Sequence, residues 1–424
     1  MPVRWSSLTV RGEDQRPCFY PAPESEIRAD RPPTHMPRAK KSPEGRIFSA
    51  IEPRSAQGRC LRRPASAECF APSILAPQRE PMTSKILAAS LIALVAATSA
   101  TAQTDKITLL GGTVIEDAKV IEWTVRSLRY KRSGSTESVD SDQVAKIKLA
   151  NFDKVYARGL DDADLMLTLS REQLAAQNKV MSQLGFVGCA ERFFDQGSPA
   201  NAVSALNELQ KEFPEGGAIP DVYRLKFEYY LGTGAKGLGN ALKVAKKYES
   251  DAIGGAWPGG FSVEASFFQV LASQASPAEY QAKLRNVVTQ ARSSNAVVAN
   301  RANIELAHSL RRDKKVDEAK RIYDTIVKKE GVDDSSRAGA YLGLGYLLTG
   351  GADKEQAKKG LLMFLRVGLE TRDAWASLHA EALYSSIGAA RKWGGPESLY
   401  IMGRCRRMLM ADFPNSDWAK QLKR

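Results

Sequence analysis

Residues 300–333 read NRANIELAHSLRRDKKVDEAKRIYDTIVKKEGVD, the stretch that most constrains how this chain folds. Leu306, Ala307 and Leu310 sit on one face of a helix. The polar run Arg311 to Lys315 then interrupts the pattern. Val316, Ala319, Tyr323 and Ile326 follow at spacings of three and four, on one face of a second helix. Ala307 and Ala319 are small where the two helices would cross, which lets the backbones approach and leaves room for Tyr323.

The same spacing returns elsewhere. Leu344-Gly345, Ala357, Leu361 and Phe364 repeat it after the centre. Cys189-Ala190, Phe193, Ala202, Leu206, Leu209 and Phe213-Pro214 repeat it before the centre. Ala389-Ala390, Trp393, Leu409 and Phe413-Pro414 form a last pair, with Met402 and Arg406 departing from the pattern. Further helix pairs are expected at about 220–250 and 262–293. Turn signals such as Gly197-Ser198-Pro199, Gly216-Gly217, Ser276-Pro277 and Gly350-Gly351 separate the helices, with Ser198 and Ser276 as expected caps before a Pro. The central stretch resembles a tetratricopeptide repeat without a gap in the 34-residue frame. That resemblance implies a mainly α fold, a solenoid of helix pairs over 161–424.

The segment 1–81 contrasts with this. It holds 13 of the chain's 20 prolines and an excess of five positive charges, without apolar periodicity, so it is expected to be disordered. At Met82 a different pattern begins. Lys85 precedes the apolar run 86–97, and Ala100-Thr101-Ala102 offers a small-x-small cleavage site. These are the three parts of a secretory signal peptide, Met82–Ala102, with Gln103 as the new N-terminus. The segment 1–81 is then a leader outside the mature chain, and the expected location is secreted or periplasmic. The alternative is a membrane anchor formed by the uncleaved segment, although the run is short beside the roughly 20 residues a span needs. Of five cysteines, Cys18, Cys60 and Cys69 fall in the leader. Cys189 and Cys405 are expected as buried free thiols.

Residues 103–150 change character. KITLL, GTVIE, KVIEWTV and SLRYKR alternate as short strands, with turns expected at Gly111-Gly112, Asp117-Ala118 and Ser133-Gly134-Ser135. A small N-terminal β-rich barrel or sheet results, and Leu109–Ile115 resembles the Sm-like and SH3-like small barrels. Arg126, Arg129, Lys131 and Arg132 are read as a solvated basic face, and no nucleic-acid partner is expected.

Motifs of chemistry are sparse. His308 and His379 stand apart from other ligand candidates, and no metal or cofactor is expected. Gly232–Gly237 spells GxGxxG but follows a helical stretch, so it reads as a link between helices. Trp257, in the glycine-rich loop 253–261, is expected against the solenoid. Asp161-Asp162 and Asp333-Asp334 lie at helix starts, where they favour the dipole. The reading is an exported, non-catalytic protein that binds a protein or peptide in the cell envelope. Alternatives are an enzyme accessory or hydrolase with a site in 217–295, or a subunit that self-associates through its β segment. In the tetratricopeptide family the first helices of successive pairs line a groove. The resemblance places Arg301, Ile304, His308, Arg311, Tyr346 and Arg391 there, and implies a preference for acidic segments.

Overall fold

The computed structural model describes residues 104–423, apart from Asp373 and Asn415. The leader 1–81, the signal-peptide pattern and Cys18, Cys60 and Cys69 lie outside the described residues. Five antiparallel strands come first: β1 (Asp105–Leu109), β2 (Val114–Trp123), β3 (Ser127–Arg132), β4 (Ser135–Asp140) and β5 (Val144–Lys148). They form an open sheet in the order β4-β3-β2-β1-β5, so β4 and β5 are its edges.

The turn at Gly112 has a positive φ, and so do Ser133 and Gly134, as a two-residue hairpin loop requires. Asp117 behaves differently from the expected turn. It has φ 57° inside a continuous β2, and the register with β1 slips there, pairing Asp105 with Ala118 but Ile107 with Ile115. This is a β-bulge. Asp105 spans it by accepting hydrogen bonds from the N–H of Val120 at 2.8 Å and of Ala150 at 2.8 Å.

The helices follow almost without pause. They are α1 (Phe152–Tyr156), α2 (Ala163–Ala175), α3 (Lys179–Asp195), α4 (Pro199–Glu212), α5 (Ile219–Gly232), α6 (Leu238–Gly254), α7 (Gly259–Leu271), α8 (Pro277–Ser294), α9 (Ala296–Arg312), α10 (Val316–Lys328), α11 (Asp334–Thr349), α12 (Lys354–Glu370), α13 (Ala376–Trp393), α14 (Ser398–Asp412) and α15 (Asp417–Lys423). Each packs on the next. The pairs expected at 220–250 and 262–293 are α5 with α6 and α7 with α8. A 3₁₀ turn, Gly234–Lys236, links α5 to α6 where the sequence spells GxGxxG.

Side chains of Asp162, Ser276, Asn295, Asp333 and Asp353 cap the helices they precede. Ser198 makes no such bond. Its own N–H instead closes α3 on the Phe193 carbonyl at 2.8 Å, after Gly197 at φ 74°, and that turn fixes its backbone.

Ala307, Ala319 and Ala357 are fully buried where helices cross. Gly343 and Gly345 go further. A Cβ on Gly343 would overlap the Tyr323 ring, and one on Gly345 the Phe364 ring. Cys189 and Cys405 are buried free thiols, as expected.

Among next-but-one helices the closest packing runs along the odd row: α3 with α5, α7 with α9, α9 with α11, and α11 with α13. The odd helices therefore form one row, and the face they share is called the inner face. The sheet shares one core with α1 to α11. It is seated on two glycine pairs. Gly217 N–H donates to the Trp123 carbonyl at 3.1 Å and a Cβ on Gly217 would overlap the indole. Gly260 N–H donates to Asp142 Oδ2 at 2.8 Å, and a Cβ there would strike that carboxylate.

Candidate functional site

The inner face gathers the chain's recessed charges. Each odd helix is apolar on the sides that meet its neighbours, which leaves a narrow stripe for polar groups. On α5 the stripe is Asp221, Arg224 and Glu228; on α9 it is Arg301, Glu305, His308 and Arg312. Arg224 is the best-partnered cation. Its Nε and Nη2 donate to both oxygens of Glu264 at 2.8–3.0 Å, and its Nη1 donates to Asp221 Oδ1 at 2.6 Å. The Tyr248 hydroxyl donates to the same Glu264 at 2.8 Å. Glu264 is the lone charge in the α7 segment GGFSVEASFFQVL, a signal that sequence reading passed over.

Burial raises Asp221 even beside Arg224, and carboxyls that Arg224 does not hydrogen-bond also lean toward their neutral forms. Burial pushes Glu191 up to about 8, helped by Asp221 and Asp195. Burial also raises Glu228 well above the usual range, against the pull of Arg301. Glu305 and Glu381 rise for the same reason. Glu191 Oε1 and Glu228 Oε2 are buried with no hydrogen-bond partner. Sequence reading missed Glu191, Asp221, Arg224, Glu228, Glu305 and Glu381 because each looks like ordinary helix-surface charge. Only the stacking of the odd helices recesses them.

The expected groove residues divide. Arg301 lies over the rings of Trp375 at 4.7 Å and Phe267 at 5.5 Å, bridging α7, α9 and the start of α13. Arg311 lies over Tyr346 at 5.1 Å, and the Tyr346 hydroxyl donates to Glu381 Oε1 at 2.6 Å. Arg311, Tyr346 and Glu381 are brought together across α9, α11 and α13, whereas Arg301 lies earlier on α9, beside the start of α13. Ile304 is buried, with Gly339 of α11 against it. His308 is turned to α10, where its Nδ1 meets the Tyr323 hydroxyl at 2.6 Å. Burial, then Arg311 and Arg312, hold this imidazole down to about 3, so it is neutral. Arg391 is exposed in the last turn of α13, next to Lys392, whose Nζ donates to the Thr349 carbonyl at 2.5 Å. Two guanidinium donors on the inner face, Arg311 Nε and Arg312 Nη2, are buried without an acceptor.

Of the basic residues in the sheet region, Arg129 is paired with Glu122 at 2.9 Å and Arg126, between β2 and β3, donates to the Gly255 carbonyl at 3.2 Å. Trp257, in the same loop, packs on Tyr223, Tyr248 and Phe261. His379 is half-buried, and burial lowers its pKa. Among the described residues, no three His, Cys, Asp or Glu side chains are placed to hold a metal ion, and no helix is long and apolar enough to cross a membrane. No family model matches the chain, and neither does any curated protein sequence.

Proposed function

We infer that this is an exported, non-catalytic helix-pair solenoid of tetratricopeptide type that binds an acidic protein or peptide segment on its inner face, in the cell envelope. The observation that carries this reading is the pair of buried, unmatched guanidinium donors, Arg311 Nε and Arg312 Nη2. A buried donor without an acceptor is costly, about 1–3 kcal/mol, and more for a charged group. A carboxylate arriving from a partner would give such a donor its acceptor once the guanidinium turns outward to meet it, with Tyr346 beside Arg311. Export rests on the pattern at Met82–Ala102, and N-terminal sequencing of the native protein should return Gln103. Residues from 1–81 in that readout would overturn it.

The binding test is affinity capture from the native compartment with wild type and with Arg311→Gln plus Arg312→Gln. The double variant keeps a polar side chain at each position and removes the charges. Arg301 is left alone because it sits in the field of Glu228, where an added acid would disturb folding. Arg391→Gln is the exposed control. Capture should collapse in the double variant only, and wild-type capture should weaken as salt rises. The same partners at the same strength from the double variant would refute the site.

A further inference from the structure

A second cleft, separate from the α9–α13 face, opens where the sheet meets the helices. It encloses about 220 Å³. One wall is the run Val144 to Leu149, residue after residue along β5 and just beyond it, and the other is built from Leu184, Val187, Glu191, Pro220 and Asp221 of α3 and α5. A cavity over the face of a strand touches alternate residues; a cavity touching every residue in turn lies along the strand's edge. β5 is an edge strand, hydrogen-bonded to β1 alone within the sheet. Every second residue of β5 therefore turns its N–H and C=O away from β1, the arrangement that admits another strand.

The two sides of β5 differ in chemistry. Lys146 and Lys148 share one side, and Lys148 lies directly opposite Lys106 of β1; Lys106 is paired with Glu116 at 2.7 Å, which leaves the ammonium groups of Lys146 and Lys148 to meet an acid from outside the sheet. Ile147 and Leu149 are buried on the other side. Toward the helices the cleft is lined by Trp123 and Glu191, each of which carries a buried polar atom with no hydrogen-bond partner, Nε1 and Oε1. Trp123 is only 9% exposed. Arg224, the nearest cation of the helix wall, is already engaged by Glu264 and Asp221. Glu191 is the carboxyl left over.

We propose that the free edge of β5 takes an extended peptide as a sixth strand. Its side chains alternate: acidic beside Lys146 and Lys148, and apolar with one basic residue on the side of Ile147, Leu149 and Glu191. Backbone hydrogen bonds supply affinity, and the alternation sets register, because a slip by one residue would turn the basic residue to the lysines and the acids to Glu191. This site shares Asp221 and Arg224 with the α5 stripe of the inner face, but it uses neither Arg311 nor Arg312.

The test uses the full chain and a fluorescein-labelled, end-blocked nonapeptide of alternating glutamate and valine with one central arginine in a valine position, followed by fluorescence anisotropy. Saturable binding is expected. Three changes should each weaken it by about tenfold or more. These are methylation of alternate backbone nitrogens on the pairing side, a scramble that places arginine on the glutamate side, and citrulline for arginine. Glu191→Gln should weaken the arginine peptide and leave the citrulline peptide unchanged. Arg311→Gln plus Arg312→Gln should bind the nonapeptide as wild type does, so failure here and failure of the inner-face reading are told apart. No saturable binding, or equal binding of the methylated and scrambled peptides, would overturn the proposal. The peptide arms use wild-type protein, so this holds even if Glu191→Gln folds poorly.

Discussion

Gly343→Ala tests the seat of Tyr323 against α11. A Cβ at Gly343 would overlap three atoms of the Tyr323 ring. That ring is fully buried, and its hydroxyl is tied to His308 at 2.6 Å, so it has nowhere to retreat. Overpacking of this kind costs about 1–3 kcal/mol. Against it, alanine in a helix interior gains roughly 1 kcal/mol over glycine. The comparison is Gly388→Ala, in the middle of α13, where a Cβ meets nothing within 4 Å. The helix-propensity gain is common to both, so their difference reads the steric overlap alone. Urea unfolding followed by far-UV circular dichroism should place Gly388→Ala above wild type and Gly343→Ala about 1–3 kcal/mol below Gly388→Ala. The comparison is made at equal slopes, since helix arrays can depart from two-state behaviour. Equal midpoints for the two variants would refute the ring-on-glycine packing.

Other consequences follow from burial. His308 titrates at about 3 when folded against 6.5 when unfolded, so the unfolded chain binds the proton first; its contribution is full above 6.5 and is lost as pH falls toward 3. His308→Gln should flatten that acid limb of the stability profile, and an unchanged limb would count against a neutral buried imidazole. Glu191 has the opposite sign: raised to about 8, it favours the folded state fully below 4.5 and loses that contribution as pH rises through 8. Glu191→Gln should therefore hold its stability between pH 5 and 9 better than wild type does, read by thermal melts across that window. Burial pushes the Cys189 thiol up to about 12, so neither it nor buried Cys405 should react with a thiol reagent until urea unfolds the chain. Rapid labelling in native buffer would contradict both placements.

Much of the architecture was legible because helix-pair packing is written in short-range spacing. Ala307, Ala319, Tyr323 and Ile326 announce a crossing wherever they stand, and α9 and α10 obey them. The sheet was less legible. β4, STESVD, is an edge strand with mostly exposed side chains, so it carries no apolar alternation. Asp117 imitates a turn because a bulge also needs a left-handed residue. Gly216-Gly217 was read as a turn, and it is one, and Gly260 was read as part of a loop although it opens α7; Gly217 and Gly260 are glycine for a longer-range reason: Trp123 and Asp142 of the sheet region press against them. Contacts of that separation leave no mark on local periodicity. The candidate site suffered similarly. Arg301, Arg311 and Tyr346 came from a repeat frame, whereas the acids beside them are recessed only by the stacking of helices far apart in sequence.

The Arg224 cluster shows how strongly that stacking constrains charge. Its guanidinium joins α5 to α7 through Glu264 and also holds Asp221, and the side chains of these acids are 5% and 8% exposed. Two acids share one cation there, with the Tyr248 hydroxyl completing Glu264. Arg224→Met keeps most of the volume and strands both carboxyls, which should cost about 3–5 kcal/mol. Arg171→Met is the contrast, since the pair of Arg171 with Glu208 is exposed and should contribute at most about 1 kcal/mol. Adding Asp221→Asn and Glu264→Gln to Arg224→Met removes the stranded charges and should recover most of the loss, because the penalty lies in burying an unpaired carboxylate more than in losing the ion pair. Urea midpoints of the four proteins decide it. If Arg224→Met costs no more than Arg171→Met, water reaches the cluster and the inner face is not recessed at α5 and α7.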